Sequence, residues 1–559
     1  MSNSPKKQNF LQGAAFLAIA VAIVKVIGAI YKIPLKYIIG DVGFGYFNTA
    51  YDIYTVLLTI STAGLPIAMS RMISQANSLG QYSRVRQIYK VAKAIFLGLG
   101  LFSTVIMAAF CGWLANTLGQ PNAWTTILCL APCSLLMGYL SAYRGFFQGQ
   151  SNMIPTSVSQ VLEAFCKLVV GLIAAYAIMQ LTRNLAWAAA GAILGVTASC
   201  LISAIYLSSK FHPAYAALEV SAEEVESFRS TAGQLLSIAI PITIGSAGLQ
   251  LLNVVEIGIY MGRLEELLRT GTYRPDLIPT LTEEVKALSE YKPENHFSLM
   301  ATSLKGIYNF AYTLFNMPGA FIIPINTSVL PAITACLTLG DHKGVKDTEE
   351  SAARITGLLA APCAVGLSVL ATPVMGLLGG YEGAKLALAG EIMMYLGIAV
   401  FLYCLVMFTN VLLQSHGKAH IPVITTLVCG VAKIIAMYFL TGNPALGISA
   451  VPICSVLCYL GIVVLNLIAI ANTVPQKPAL FKNLMRALIP AGIMGVAVYF
   501  THWALVHFAH ITSNLLLCGI PIVIGVVIYL VGVVITRTIT REDCLLLPKG
   551  EKIANLLKL

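Results

Sequence analysis

Long apolar runs alternate with short polar joints along nearly the whole chain. A membrane-crossing helix needs about 20 apolar residues. By that measure spans are predicted at 10–33, 46–70, 90–113, 122–143, 154–180, 185–208, 232–261, 303–336, 352–378, 388–414, 420–440, 446–471, 484–509 and 513–537. Each is too long for a barrel strand, and none alternates with period two. The predicted fold class is an all-α polytopic membrane protein with 14 transmembrane helices. Composition excludes the soluble alternatives. Of 559 residues, 57% are hydrophobic and 11% charged, against about 25% charged in soluble domains. The mean hydropathy is +0.81. A multi-pass protein of the plasma membrane is expected, not a cytosolic enzyme, a disordered chain or a secreted disulfide scaffold.

Charge then supplies orientation. The net charge of +11 would suggest nucleic acid in a soluble protein. Here Lys6, Lys7, Arg71, Arg84, Arg86, Lys90, Lys210, Arg229, Lys343, Lys346, Lys418, Lys477, Lys482, Arg486 and the tail from Arg537 all fall on one side of the predicted spans. The opposite short loops 112–121, 441–447 and 508–513 carry no Lys or Arg. The positive-inside rule therefore predicts N-in/C-in, with the long loop 262–300 outside. No nucleic acid is needed to explain the excess. The first run follows Lys6 and Lys7 but continues through Lys25, so a retained helix is expected, not a signal peptide. The thirteen Cys lie mostly inside spans, with no CxxC pair. They read as small hydrophobes, and no metal site or cofactor is predicted.

The halves echo each other. Leu65-Pro66, Gln148, Pro155 and Lys167 recur as Leu330-Pro331, Gln414, Pro422 and Lys433, displaced by 265 to 267 residues. A repeat at constant offset implies two equivalent substructures. An even number of spans separates them, so the prediction is two parallel six-helix lobes plus two C-terminal helices. Residues 1–209 form the N-lobe and 210–231 a cytoplasmic linker. Residues 232–440 open the C-lobe, 441–471 supply its last helix, and 472–559 hold spans 13, 14 and a cytoplasmic tail. Parallel repeats suit a transporter that rocks about an interface. Pro66, Pro241, Pro318, Pro324 and Pro373 sit within or near span ends. They read either as functional kinks or as the ordinary kinking that membrane helices tolerate.

Few charges enter the spans: Lys25, Lys167, Lys305, Lys433, Asp52, Glu163 and Glu256. Each costs about 2.5–3.5 kcal/mol on insertion scales and is a functional candidate by default. Glu163 and Lys167 are four residues apart, so a mutual structural pair is expected. Lys25, Lys32, Asp52 and Lys305 are the candidate substrate-binding cavity, with an excess of positive charge suited to a phosphate or pyrophosphate. The alternative is that Lys25 pairs with Asp52 while Lys32 and Lys305 snorkel to the interfaces. Arg144, Gln148, Pro66, Pro331 and Gln414 are candidate gating or structural positions. Glu256 and Lys433 are candidates for ion coupling and for pairing with each other. No GxxxxGK[ST] loop, HExxH or TVGYG filter occurs, so ATP hydrolysis by a P-loop, zinc proteolysis and a potassium-type channel are not indicated.

The stretch Arg144-Gly-Phe-Phe-Gln-Gly-Gln-Ser-Asn-Met-Ile-Pro-Thr-Ser-Val-Ser-Gln160, followed by Glu163 and Lys167, resembles the signature of polysaccharide-type flippases. These belong to the multidrug/oligosaccharidyl-lipid/polysaccharide exporter superfamily. Tyr31-Lys-Ile-Pro34, Gly43-Phe-Gly-Tyr-Phe-Asn-Thr-Ala-Tyr51 and Gly64-Leu-Pro66 are similar to its Gram-positive branch, which holds lipid II flippases and stage V sporulation protein B. The resemblance covers essentially the whole chain. It implies alternating access and an undecaprenyl-pyrophosphate-linked cell-wall precursor as substrate. It places the charged cavity at Lys25, Lys32, Asp52 and Lys305, and a lipid-tail groove at spans 13 and 14. Some members bind sodium through acids on helices 7 and 11. Glu256 matches the first, but span 11 offers Lys433 instead, which argues against sodium here. The expected partners are the lipid-linked glycan and membrane lipids, with the cell-wall synthesis machinery as a protein partner of a monomer. The rival within the superfamily is a multidrug/cation antiporter.

Overall fold

The computed structural model describes residues 10–62, 64–218, 226–474, 478–509, 511, 513–536 and 538. Lys6, Lys7, Lys477, most of the tail and part of the 210–231 linker lie outside that set. Every element among the described residues is helical. Among the described residues, eleven helices are long and apolar enough to cross a membrane. In chain order the helices are α1 (Phe10–Thr62), α2 (Leu65–Ser78), α3 (Tyr82–Ala109), α4 (Cys111–Thr117), α5 (Trp124–Gly149), α6 (Ile154–Thr182), α7 (Leu185–Ala216) and α8 (Phe228–Thr270). Then follow α9 (Ile278–Lys286), α10 (His296–Thr338), α11 (His342–Val369), α12 (Ala371–Gly379), α13 (Gly383–Ser415), α14 (His420–Thr441), α15 (Ala450–Thr473), α16 (Leu480–Arg486), α17 (Leu488–His507) and α18 (Asn514–Ile535).

Two compact units emerge. The first comprises residues 1–272 and 281–309; the second comprises 273–280 and 310–559. The start of α10 thus belongs to the first unit and its remainder to the second. Phe228–Thr270 also groups with the N-terminal helices. The predicted outer loop 262–300 is partly helical, because α8 runs to Thr270, α9 occupies 278–286 and α10 begins at His296.

Helix α1 is 53 residues long, about 80 Å if straight. Gly40 breaks it with φ 61° and ψ −173°, a conformation open to a residue without Cβ. The break leaves two pieces, each near bilayer length. The second piece packs against the start of α10 at backbone distance. A Cβ on Gly306 would lie 2.0 Å from the Asp41 carbonyl oxygen, so only glycine allows this approach. That contact positions the neighbouring Lys305.

Pro66 proves to be a helix start, not a kink. α1 ends at Thr62, and Pro66 occupies the first turn of α2, where its missing N–H goes unused. Pro373 similarly sits in the first turn of the short α12. Pro241 falls inside α8, and Pro318, Pro324 and Pro331 inside α10; the side chains of Pro241, Pro324 and Pro331 are outside the described set.

In the second unit, Ile333, Val345, Phe408, Leu412, Ile462 and Leu484 form one apolar core. α17 and α18 pack on each other and on α11 around Ala361, Ala491, Met494 and Tyr529. The Tyr529 hydroxyl donates to the Leu358 carbonyl at 2.7 Å, which satisfies its polar tip inside an apolar contact.

Candidate functional site

The polar interior of the first unit is built on both halves of α1. Lys305 on α10 is fully buried. Its Nζ donates to Thr49 Oγ1 at 2.7 Å and to Asp52 Oδ2 at 3.2 Å. Thr49 in turn donates to Gln120 Oε1 at 2.6 Å. A buried ammonium is tolerated when paired and hydrogen-bonded in this way. Asp52 remains 30% exposed, so the carboxylate, not the lysine, is the face this pair presents.

A second charged cluster lies between α1, α5 and α6. Arg144 Nη2 bonds Glu163 Oε2 at 2.8 Å, and Arg144 Nε donates to Ser159 Oγ at 3.1 Å. Lys167 extends over the rings of Tyr31 and Tyr51, at 5.4 and 5.6 Å from their centroids. Such cation–π contacts shelter a charge without neutralising it. These groups border a cavity of about 230 Å³ lined by Val21, Val24, Lys25, Arg144, Gln160, Glu163, Ala164 and Lys167. Three cations therefore face one carboxylate. Lys25 is exposed here. Gln160 Oε1 and Tyr51 Oη are buried without a protein partner, so polar capacity is left over at this place. Lys32 stands between the clusters. Its Nζ donates to Asn48 Oδ1 at 3.3 Å, and it is within electrostatic reach of Lys167, Asp52 and Lys25.

Two sequence expectations change. Glu163 was expected to pair with Lys167 on its own helix; its ion pair is with Arg144 of α5 instead. Spacing along one helix brings residues near, but a guanidinium from a neighbouring helix offers a shorter, better-aligned donor. The four cavity candidates also divide. Lys305 joins Asp52, whereas Lys25 joins Arg144, Glu163 and Lys167. Gln120 was not singled out in the sequence, and Asn48, Thr49, Ser159 and Gln160 stood there only inside the motifs of the resemblance, with no role of their own. Hydroxyls and amides are common in membrane helices, and nothing in the pattern distinguishes these.

The remaining candidates have simpler settings. Gln148 and Gln414 end α5 and α13, and their carbonyls accept from Ser151 N and Gly417 N, both at 3.0 Å. Glu256 lies on α8 in the first unit and Lys433 on α14 in the second; both are half-buried. In the second unit a neutral network replaces the charged one. Asn466 donates to Asn410 Oδ1 at 2.8 Å and to Thr409 Oγ1 at 3.1 Å, and accepts from Thr425 Oγ1 at 2.8 Å. No group of three or more His, Cys, Asp or Glu suited to a metal occurs among the described residues.

The family described as "Polysaccharide biosynthesis protein" matches residues 10–336, and that described as "Lipid II flippase MurJ" matches 296–519. The chain is 22% identical over 531 residues to "Lipid II flippase MurJ" of Bacillus subtilis (strain 168), covering 92% of each. It is 24% identical over 475 residues to "Stage V sporulation protein B" of the same organism, covering 84% of this chain and 85% of the relative. Among solved structures, a lipid II flippase MurJ in an inward closed conformation superposes with TM-score 0.64 at 14% identity, over 93% of this chain and 98% of that one. An inward-facing MATE family transporter of the MOP superfamily gives TM-score 0.60 at 14% identity, over 84% and 99%. At these identities the structures show a shared fold.

Proposed function

The chain belongs to the polysaccharide biosynthesis family, a multi-pass plasma-membrane flippase/exporter of the MOP superfamily, and on that premise we propose that it flips a lipid-linked cell-wall precursor. The substrate in this reading is an undecaprenyl-pyrophosphate-linked glycan, with lipid II as the load to test first. The observation that carries it is the cavity between α1, α5 and α6, where Lys25, Arg144 and Lys167 face Glu163 alone. Cations held in a low-dielectric wall attract an anionic head far more strongly than they would in water. Lys32 and Asp52 extend the same polar face. The lipid tail stays in the bilayer, and α17 and α18 offer it an apolar surface.

The reading includes fourteen crossings with both termini inside. The eleven candidate spans are completed by the two halves of α1 and by α10. The lobes follow the repeat, with alternating access between them. No sodium is invoked, because α14 carries Lys433 where an acid would be needed. A multidrug/cation antiporter is favoured by the MATE-like fold, but a cationic cavity repels its cargo.

Depletion should leave lipid II inaccessible from outside the cell, and re-expression should restore exposure. Lys25→Ala and Lys167→Ala should abolish complementation at normal protein levels. Full complementation by both would remove this cavity as the substrate site. Unchanged lipid II exposure on depletion, in a strain without paralogues, would discard lipid II as the load.

A further inference from the structure

The segment before α10 is bonded to the first unit at several points. The Glu290 carboxylate accepts from the Ala186 backbone N–H at 2.7 Å, in the first turn of α7. Its other oxygen accepts from Asn122 Nδ2 at 3.5 Å, and the same amide reaches the Tyr46 hydroxyl at 3.2 Å. Ser289 Oγ donates to the Arg183 carbonyl at 3.2 Å, and Ser298 Oγ to the Gly119 carbonyl at 2.6 Å. Within the segment, Asn295 Nδ2 donates to the Glu290 carbonyl at 3.0 Å. A carboxylate at a helix N-terminus takes an otherwise orphaned donor and meets the positive end of the helix dipole. Two turns further on, Gly306 lies against the Asp41 backbone, and Lys305 reaches Thr49 and Asp52.

We propose that Glu290 is a positioning residue: docked on the first turn of α7, it latches residues 289–309 onto α1 and so keeps Lys305 seated between Thr49 and Asp52. The latch also responds to pH. Burial pushes the Glu290 carboxyl above its usual range, opposed by the bonds from Ala186, Tyr46 and Asn122. The docked form therefore binds a proton more readily than a released, hydrated one. Docking strengthens as pH falls toward the ordinary carboxylate range, and weakens as pH rises through the raised value. Along the chain nearest the dock stand Tyr46, Arg183, Lys286, Tyr291, Lys292, Glu294 and His296, and the elements meeting it also carry Asp41 and Asp52 on α1 and Lys305 on α10. Of these His296 responds with the opposite sign. Burial, and then Lys286, hold its imidazolium down, so it favours the docked state at higher pH. The latch is independent of what the protein carries.

Hydrogen exchange on the full chain in lipid nanodiscs tests it, with rates corrected for the intrinsic pH dependence of exchange. Glu290→Ala should speed exchange about tenfold or more at the first turn of α7 and across 296–305, the scale of one charge-assisted hydrogen bond. Protection equal to wild type would overturn the latch. Wild-type protection should rise from pH 8 to pH 5. Glu290→Gln should lose that rise and keep only the opposite trend of His296. An identical rise in Glu290→Gln would overturn the pH response. If Glu290→Ala does not fold, Asn122→Ala with Ser298→Ala replaces it, with loosening expected at the same amides; unchanged protection there would also overturn the latch.

Discussion

The two units answer the same packing problem with opposite chemistry. A shift of 266 residues carries Arg144 onto Asn410, Ser159 onto Thr425, Glu163 onto Cys429 and Cys200 onto Asn466. In the first unit these positions hold an ion pair bridged to a hydroxyl. In the second they hold a neutral network in which fully buried Asn466 uses both its donors and its acceptor. The neutral set shows that this helix junction can be tied together without charge. A buried ion pair is weak evidence for stability, since desolvation offsets much of its attraction. Charge in the first unit therefore points to a role other than holding helices together, and it borders the cavity.

Substitutions can break or sharpen this contrast. The largest effect is expected from Arg144→Ala. It removes the ion pair of Glu163, leaving that carboxylate to Lys25 and Lys167 across the cavity, and should cost about 3 kcal/mol, the low end for breaking a buried pair. Thermal unfolding in detergent would show it, and complementation should be lost as well. The sharper variant copies the second unit into the first, with Arg144→Asn and Glu163→Cys together. Removing both charges should return most of that stability yet leave transport abolished. Transport that survives in the double variant would mean that these charges are merely structural.

Next in size is Asn466→Ala, which leaves Thr425 and Asn410 without a shared partner. It should cost about 1–3 kcal/mol of stability while the transport rate per folded molecule holds. A selective loss of transport would erase the distinction between the units. The smallest effect concerns the turns that end α5 and α13. Ser151 has φ 59° and its counterpart Gly417 has φ 73°, both in the left-handed region that a Cβ disfavours. Ser151→Gly should stabilise by about 1 kcal/mol, and Gly417→Ser should destabilise by a similar amount. Equal melting temperatures in both variants would show that the turns are not equivalent.

Much of this was legible in the sequence. Apolar runs of bilayer length gave the helices, because a backbone in lipid must satisfy its own hydrogen bonds. The repeat was read from Gln148 and Gln414, each followed three residues later by a residue of positive φ. The costly residues Lys25, Asp52, Glu163, Lys167 and Lys305 stood out against apolar surroundings. Less legible were breaks inside runs. The span expected at 46–70 is interrupted before α2, and that expected at 352–378 divides into α11 and α12. Hydropathy does not register a turn whose residues are themselves apolar. Thr49, Gln120 and Gln160 carry no charge, so hydropathy did not set them apart, although Thr49 and Gln160 fall within the motifs of the resemblance.

The sequence by itself determined which segments are helical and which charges the interior must accommodate. These follow from chain composition and from spacing along single helices. The tertiary structure decided who meets whom. Arg144 and not Lys167 takes Glu163, Lys305 is sealed against Asp52 and Thr49, and Glu290 reaches across to α7. Such pairings depend on how closely neighbouring helices approach, which turns on local sterics such as the bare Gly306 beside Asp41. An ion inside a membrane protein will bond the best donor or acceptor within reach, and packing sets that reach.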